Sequence, residues 1–329
     1  MKPKVLPAVV LSLSVFVGGH AQAQSTAKYP DRPVRLIVPF APGGASDFVA
    51  RIIQPKLGEE LAQTIVIDNR AGASGHLGVE VAANATPDGY TILLGNIGTM
   101  SINPYVFPKF KPKPLEAFVG VTQVVDVPLC VVVTSSLPVK SIKDLIDYAK
   151  ARPGKLNYAA AGAGSNGRLA WEYWMARTGL KMVMVAYKGG AGGATLGVAQ
   201  GETQVTLTST PAAFPHLKTG RLRLLAVVAR DRLDSAPDTP TMAEVGFPDM
   251  TVGSWQGIFV AKAPPKAVVS RLFSAFTKTM SDPAVKRGLA TASAAVILSK
   301  SPADFHAFWK KENDRWAKVV KDIGAVAQQ

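Results

Sequence analysis

FVGVTQVVDVPLCVVVT, residues 118–134, is a run of apolar and β-branched residues with a proline at 128. It is far longer than an ordinary strand of about 5–6 residues. Proline has no N–H to give to a sheet ladder, so the run should break at Pro128. Two strands end to end, with a break between them, describe a chain passing from one sheet into another. A second long run, TVGSWQGIFVAK at 251–262, has the same character, and only helical patterns follow it. Two crossings, near 120–130 and near 248–258, make the block between them an insertion. The reading is two α/β lobes, residues 24–124 with 252–329 and residues 125–251, with a cleft between them.

Both blocks alternate strand and helix. Before the first crossing, PVRLIVPFA (33–41), TIVIDNR (64–70) and DGYTILLGN (88–96) read as strands. Between them lie SDFVARIIQPKLGEEL (46–61), with apolar residues at helical spacing, and AGASGHLGVEVAANA (71–85), a glycine-rich turn opening a helix. This βαβαβ order predicts a parallel sheet wrapped by helices. NPYVFPKFKPKP, from 103, reads as a proline-rich loop. In the second block SIKDLIDYAKAR (141–152) has Ser141 placed as an N-cap and Asp144 at the third helical position. GRLAWEYWMARTG (167–179) is a helix ended by Gly179. Ligands of open α/β sheets bind at the carboxyl ends of strands, and two such ends facing each other make a cleft that closes by hinge motion.

The first residues read as an export signal. Lys2 and Lys4 precede an apolar stretch over 5–18, and Ala21-Gln22-Ala23 has the small-x-small pattern of a cleavage site. The stretch is shorter than the roughly 20 residues of a membrane span. The mature protein is therefore expected in the periplasm, cleaved near Ala23. Cys130 is the one cysteine, so an internal disulfide is excluded, and it reads as a small buried hydrophobe. The four histidines show no ligand spacing, so no metal is expected, and no cofactor. Net charge is +14, and +12 once Lys2 and Lys4 are removed. The basic residues are scattered rather than clustered with aromatics, which argues against nucleic acid and for a field that draws in small acids.

Four predicted strand ends are glycine-rich and open helices: PFAPGGASD (39–47), NRAGASGHL (69–77), AAGAGSNGR (160–168) and YKGGAGGA (187–194). Glycine brings backbone N–H groups close to a ligand, and a helix N-terminus carries roughly half a positive charge. Such loops hold anions without an arginine. The third also fits two rival patterns. Gly162, Gly164 and Gly167 match the dinucleotide turn G-x-G-x-x-G, but Tyr187-Lys188-Gly189 stands where an acidic residue belongs. Ser165 matches a loose nucleophile elbow, but His216 and His306 follow without a convincing acid before them.

Taken in order, YPDRPVRLIVPFAPGGASD, NRAGASGHLGVEVAANATPDGYTILLGN, YAAAGAGSNGRLA and VAYKGGAGGATLGVAQGETQV followed by TGRLRLLAV are similar to the extracytoplasmic solute receptors of tripartite tricarboxylate transporters, the Bug receptors. The resemblance covers nearly all of the mature chain. It implies a type II periplasmic-binding-protein fold, two α/β lobes joined by two crossing strands, closing on a small carboxylated solute and serving integral membrane permease subunits. It implies a monomer without catalytic residues. The first two loops would hold one carboxylate, partly through waters, and the second lobe would read the rest of the solute. Carried over by position, the ligand-binding residues are Phe40, Ala45, Ser46 and Asp47; Ala73, Ser74, Gly75 and His76; Gly164, Ser165, Asn166 and Arg168; and Ser209 with Thr210. The chain departs from the family at Ala45-Ser46, where a glycine and threonine are usual, and at Arg168, where a histidine is usual. Asp47 would repel an anion unless it caps its own helix. Arg168 facing the cleft would pair with a second carboxylate. The alternatives are an exported hydrolase using Ser165 and a receptor presenting its ligand to a membrane sensor kinase.

Overall fold

The computed structural model describes residues 29–107, 109–250, 253–322 and 324. The export signal falls outside them. The chain runs β1 (Val34–Val38), α1 (Ala45–Leu61), β2 (Ile65–Asn69), α2 (His76–Ala83), β3 (Thr91–Asn96), α3 (Asn103–Val106), α4 (Pro114–Ala117) and β4 (Phe118–Val127). It continues as β5 (Leu129–Thr134), α5 (Ile142–Lys150), β6 (Asn157–Ala160), α6 (Asn166–Thr178), β7 (Val183–Ala186), α7 (Gly190–Ala199), β8 (Val205–Ser209), α8 (Thr210–Lys218) and β9 (Leu222–Val228). The remainder is β10 (Ser254–Ala261), α9 (Lys266–Ser281), α10 (Pro283–Ala290), β11 (Ala295–Val296) and α11 (Pro302–Asp322).

These strands form two sheets, ordered β11-β4-β10-β3-β1-β2 and β7-β6-β8-β5-β9. The long apolar run does break at Pro128, with β4 in the first sheet and β5 in the second. After β9 the chain returns to the first sheet at β10. Neither sheet is wholly parallel. β1, β2 and β3 pair in parallel, but β10 runs antiparallel to both β3 and β4. In the second sheet β6 pairs in parallel with β7 and β8, while β5 is antiparallel to β8 and β9. A strand that enters a lobe by crossing comes from the opposite direction, and local patterning carries no sign of that. The segment after 103 also differs from the expected loop: α3 and α4 are single helical turns, each with a proline at its start.

The central strands of each sheet are buried on both faces. In β1 the odd-even alternation sends Leu36 and Val38 to one core, with α1 and α9, and Ile37 to the other, with α2 and α11. β10 does the same with Ile258 and Val260 against Phe259. In β5, Leu129, Val131 and Val133 pack under α5 and α6, and Cys130 and Val132 under α7 and α8. Burial alone pushes the Cys130 thiol up to about 12, so it stays protonated. Ser141 caps α5 as expected, its Oγ accepting from Asp144 N at 3.0 Å, and Gly179 ends α6 in the left-handed region at φ 68°.

Candidate functional site

The carboxyl ends of the two sheets face each other across one cavity of about 60 Å³, room for about four waters. From the first lobe it is lined by Phe40, Gly44, Ala45 and Ser46 of the β1–α1 turn, by Ser74 before α2, and by Asn96 and Gly98 after β3. From the second come Leu129, Ala161, the 164–167 turn, Ala191 at the start of α7, and Leu207, Thr208 and Ser209 of β8. Ser254, at the return crossing, completes it. All four glycine-rich loops contribute. No charged side chain is among the described residues that line it.

The lining is built from helix starts. Gly44 and Gly189 are the N-cap residues of α1 and α7, and neither helix has a side chain capping it. Their first N–H groups are left without helical partners. The two starts meet from opposite lobes: a Cβ added to Gly192 would lie 3.1 Å from Pro42 O. α6 is capped, its Ser165 Oγ accepting from Arg168 N at 3.2 Å, which leaves the hydroxyl hydrogen to donate. Ser209 precedes α8 but does not cap it. Its Oγ is buried and has no hydrogen-bond partner, an arrangement that costs about 1–3 kcal/mol unless a ligand or water completes it. Thr208 differs, because its hydroxyl is paired with that of Thr195 at 2.8 Å. Asn96 Oδ1 accepts from Thr99 N at 3.0 Å, so its amide N–H groups are the part left for the cavity.

Backbone strain is concentrated at the second loop. Ala73, Ser74 and Gly75 are consecutively left-handed, at φ 45°, 56° and 90°. For the two side-chain-bearing residues that costs roughly 1–2 kcal/mol each. The turn is held by Asn103, whose Nδ2 donates to Ser74 O at 2.9 Å. It sets Ser74 against the other lobe: a Cβ on Gly162, itself at φ 120°, would lie 2.5 Å from Ser74 Oγ.

Of the residues carried over from the resemblance, Phe40, Ala45, Ser46, Ser74, Gly164, Ser165, Asn166 and Ser209 line the cavity. Asp47, Ala73, Gly75, His76, Arg168 and Thr210 do not. Asp47, in the first turn of α1, turns back onto the loop before the helix, accepting from Gly43 N at 3.1 Å, Arg51 Nε at 2.9 Å and Asn69 Nδ2 at 3.2 Å. Burial opposes its ionisation, but those hydrogen bonds and the Arg51 charge outweigh it and hold the carboxyl below the usual range. The His76 ring packs against Phe110 at 4.5 Å, with Nδ1 buried. Thr210 Oγ1 donates to Ala292 O at 2.6 Å, a contact between lobes behind the cavity. Arg168 folds back over its own turn, donating from Nε to Glu172 at 2.7 Å and from Nη1 to Ala163 O at 2.5 Å. It locks the loop and does not extend into the cavity. The described residues that line the cavity with Ser165 include neither a histidine nor a carboxylate.

Asn96, Gly98, Leu129, Ala161, Ala191, Leu207, Thr208 and Ser254 were not singled out in the sequence. Asn96, the last residue of LLGN, is the kind of residue the strand-end rule can reach. Ser254 becomes a neighbour only through the pairing of β10 with β3, in which Gln256 lies opposite Asn96.

Two mixed sheets exchanging strands twice, with an anion-suited cavity between their carboxyl ends, define a two-lobed solute-binding protein. Residues 49–325 match the tripartite tricarboxylate transporter family receptor model. The chain belongs to that family. It is 34% identical over 317 residues to protein BugT of Bordetella pertussis, covering 96% of this chain and 97% of that one. Among solved structures, an R. palustris protein with adipate matches at TM-score 0.86 and 34% identity, over 90% of this chain and 98% of that one. MatC from Rhodopseudomonas palustris with bound malate matches at TM-score 0.82 and 29% identity, over 89% and 100%. These likenesses carry the type II two-lobe fold and the receptor class.

Proposed function

We propose that the protein is a periplasmic receptor that closes over a small carboxylate and delivers it to the membrane permease subunits of a tripartite tricarboxylate transporter. The carrying observation is the cavity itself. Two uncapped helix starts and an unpartnered buried hydroxyl face a space with no charged side chain. A carboxylate answers all three, since it accepts from the N–H groups, from Ser209 Oγ and from the positive ends of the helix dipoles. A cation would be repelled by the same groups, and a hydrocarbon would leave them unsatisfied. Adipate and malate in related structures agree with this chemistry. The ligand-binding set comprises the lining residues among those named from the sequence, joined by Asn96, Gly98 and Ser254. Residues 1–23 act as the export signal. The protein works as a monomer and releases its ligand unchanged, its lobes moving as units divided close to 24–124 with 252–329 against 125–251. The excess of basic residues raises the local concentration of acids around it.

A thermal-unfolding screen against aliphatic, amino and aromatic carboxylic acids tests this. A ligand at about a thousand times its Kd adds about 4 kcal/mol, so a true ligand raises Tm by several degrees and is recovered intact. A library that leaves Tm unmoved, or an acid or ester that is consumed, would reject the proposal. With the acid so found, Ser209→Ala is expected to weaken binding about tenfold, a loss of 1.4 kcal/mol, without lowering the stability of the empty protein. An unchanged Kd would remove Ser209 from the site.

A further inference from the structure

The two crossings share a buried acid that the ligand site does not use. Asp126 is the penultimate residue of β4, paired with Trp255 of β10 on one side and Ala295 of β11 on the other. Its carboxyl fills the space beside Gly253, where a Cβ would collide with both oxygens. Backbone N–H groups from each crossing face it, Val127 at the end of the first and Ser254 at the end of the return. Oδ1 is sealed from solvent and has no hydrogen-bond partner. The charged group acting on it is Glu312 of α11, whose Oε2 accepts from Trp255 Nε1 at 3.0 Å and whose Oε1 accepts from the outer Arg315 at 3.4 Å. No cation faces it among the groups that act on it. The cavity reaches the same point, because Asn166 Nδ2 donates to Gly253 O at 3.3 Å.

We infer that Asp126 is a positioning residue for ligand capture: one carboxyl group wedged between the lobe crossings, which favours the closed cleft when it is neutral. Opening two lobes about these crossings turns the backbone at 127–128 and 253–254. That movement shifts Gly253, which lies just outside the β4–β10 ladder and packs on the carboxyl, and lets water reach it. In the closed form burial, with the Glu312 charge adding to it, pushes the group up to about 6 against the pull of the two N–H groups. Once hydrated it returns toward the ordinary carboxylate value. The closed form therefore binds the proton more tightly. Its advantage is complete below the ordinary value and is lost as pH rises through about 6. Between pH 5 and pH 8 the closure constant falls about tenfold.

This inference rests on the closing-receptor reading, and its test needs no ligand. Small-angle scattering of the full ligand-free chain should show the radius of gyration growing as pH is raised from 5 to 8, with a midpoint near 6. Asp126→Asn, neutral throughout, should stay compact at every pH. Glu312→Gln, which keeps an acceptor for Trp255 but removes the neighbouring charge, should move the midpoint to lower pH. A wild-type radius that does not change with pH overturns the inference, as does an Asp126→Asn variant that follows the wild-type curve. If circular dichroism shows that Asp126→Asn does not fold, an unmoved midpoint in Glu312→Gln overturns it instead. Failure of the receptor reading appears elsewhere, as a carboxylate library that stabilises nothing.

Discussion

Gly164→Ala is expected to weaken ligand capture about ten- to a hundredfold while leaving the empty protein as stable as before. Gly164 lies on the second-lobe wall, and the backbone there meets the first lobe so closely that an added Cβ would collide with Asn103 Oδ1 and lie 3.1 Å from Phe107 Cε2. Asn103 is fully buried and tied to Ser74 O, so its amide cannot swing aside cheaply. The backbone at Gly164 is not in the left-handed region, so alanine brings no local strain. The penalty arises only when the lobes approach, and overpacking of this kind costs about 1–3 kcal/mol. Titration calorimetry with the acid found in the screen should register the loss. Scattering should show a ligand-bound form more open than wild type. Unchanged affinity would mean that the cleft closes without this contact.

Trp309→Ala is expected to lower stability by about 3–5 kcal/mol, the range for removing a large buried aromatic. Trp309 is wholly buried in α11. Its ring meets Phe259 of β10 edge-on at 4.9 Å, and its Nε1 donates to Met100 O at 2.9 Å. That bond anchors the turn at 98–102, which begins with cavity residue Gly98. The substitution should thus lower Tm by roughly 10 °C and weaken ligand binding as well. Thermal unfolding read by circular dichroism is the direct measurement, and a loss under about 1 kcal/mol would show that the core closes around the gap.

Much of the architecture was legible because its signals are local. Pro128 within a β-branched run marks the crossing without reference to any other segment. Ser141 and Asp144 mark a helix start four residues long, and the glycine-rich turns sit where strand and helix patterns meet. What stayed hidden depends on pairing between distant segments. The antiparallel setting of β10 brings Ser254 and Asn96 to one cavity, and nothing within either stretch records the register. Arg168 illustrates the same limit on the scale of one side chain. Its place where the family usually has a histidine leaves both a cleft-facing and a solvent-facing cation open to the sequence, but the carbonyl of Ala163 and the carboxylate of Glu172 lie within its reach and turn it inward. His76 likewise sits beside the cavity in sequence and against Phe110 in space.

A cavity without charged side chains also bears on how such a receptor changes over time. The groups proposed to grip the acid belong largely to the main chain at the starts of α1 and α7, and no substitution except one to proline deletes a backbone N–H. The general taste for acids is therefore inherited with the fold. The far wall, by contrast, is made of replaceable apolar side chains such as Leu129, Ala161 and Leu207. Exchanging one of these reshapes the ligand's tail without disturbing the hold on its head, so a duplicated copy can acquire a new diet in a few mutational steps while remaining functional at each.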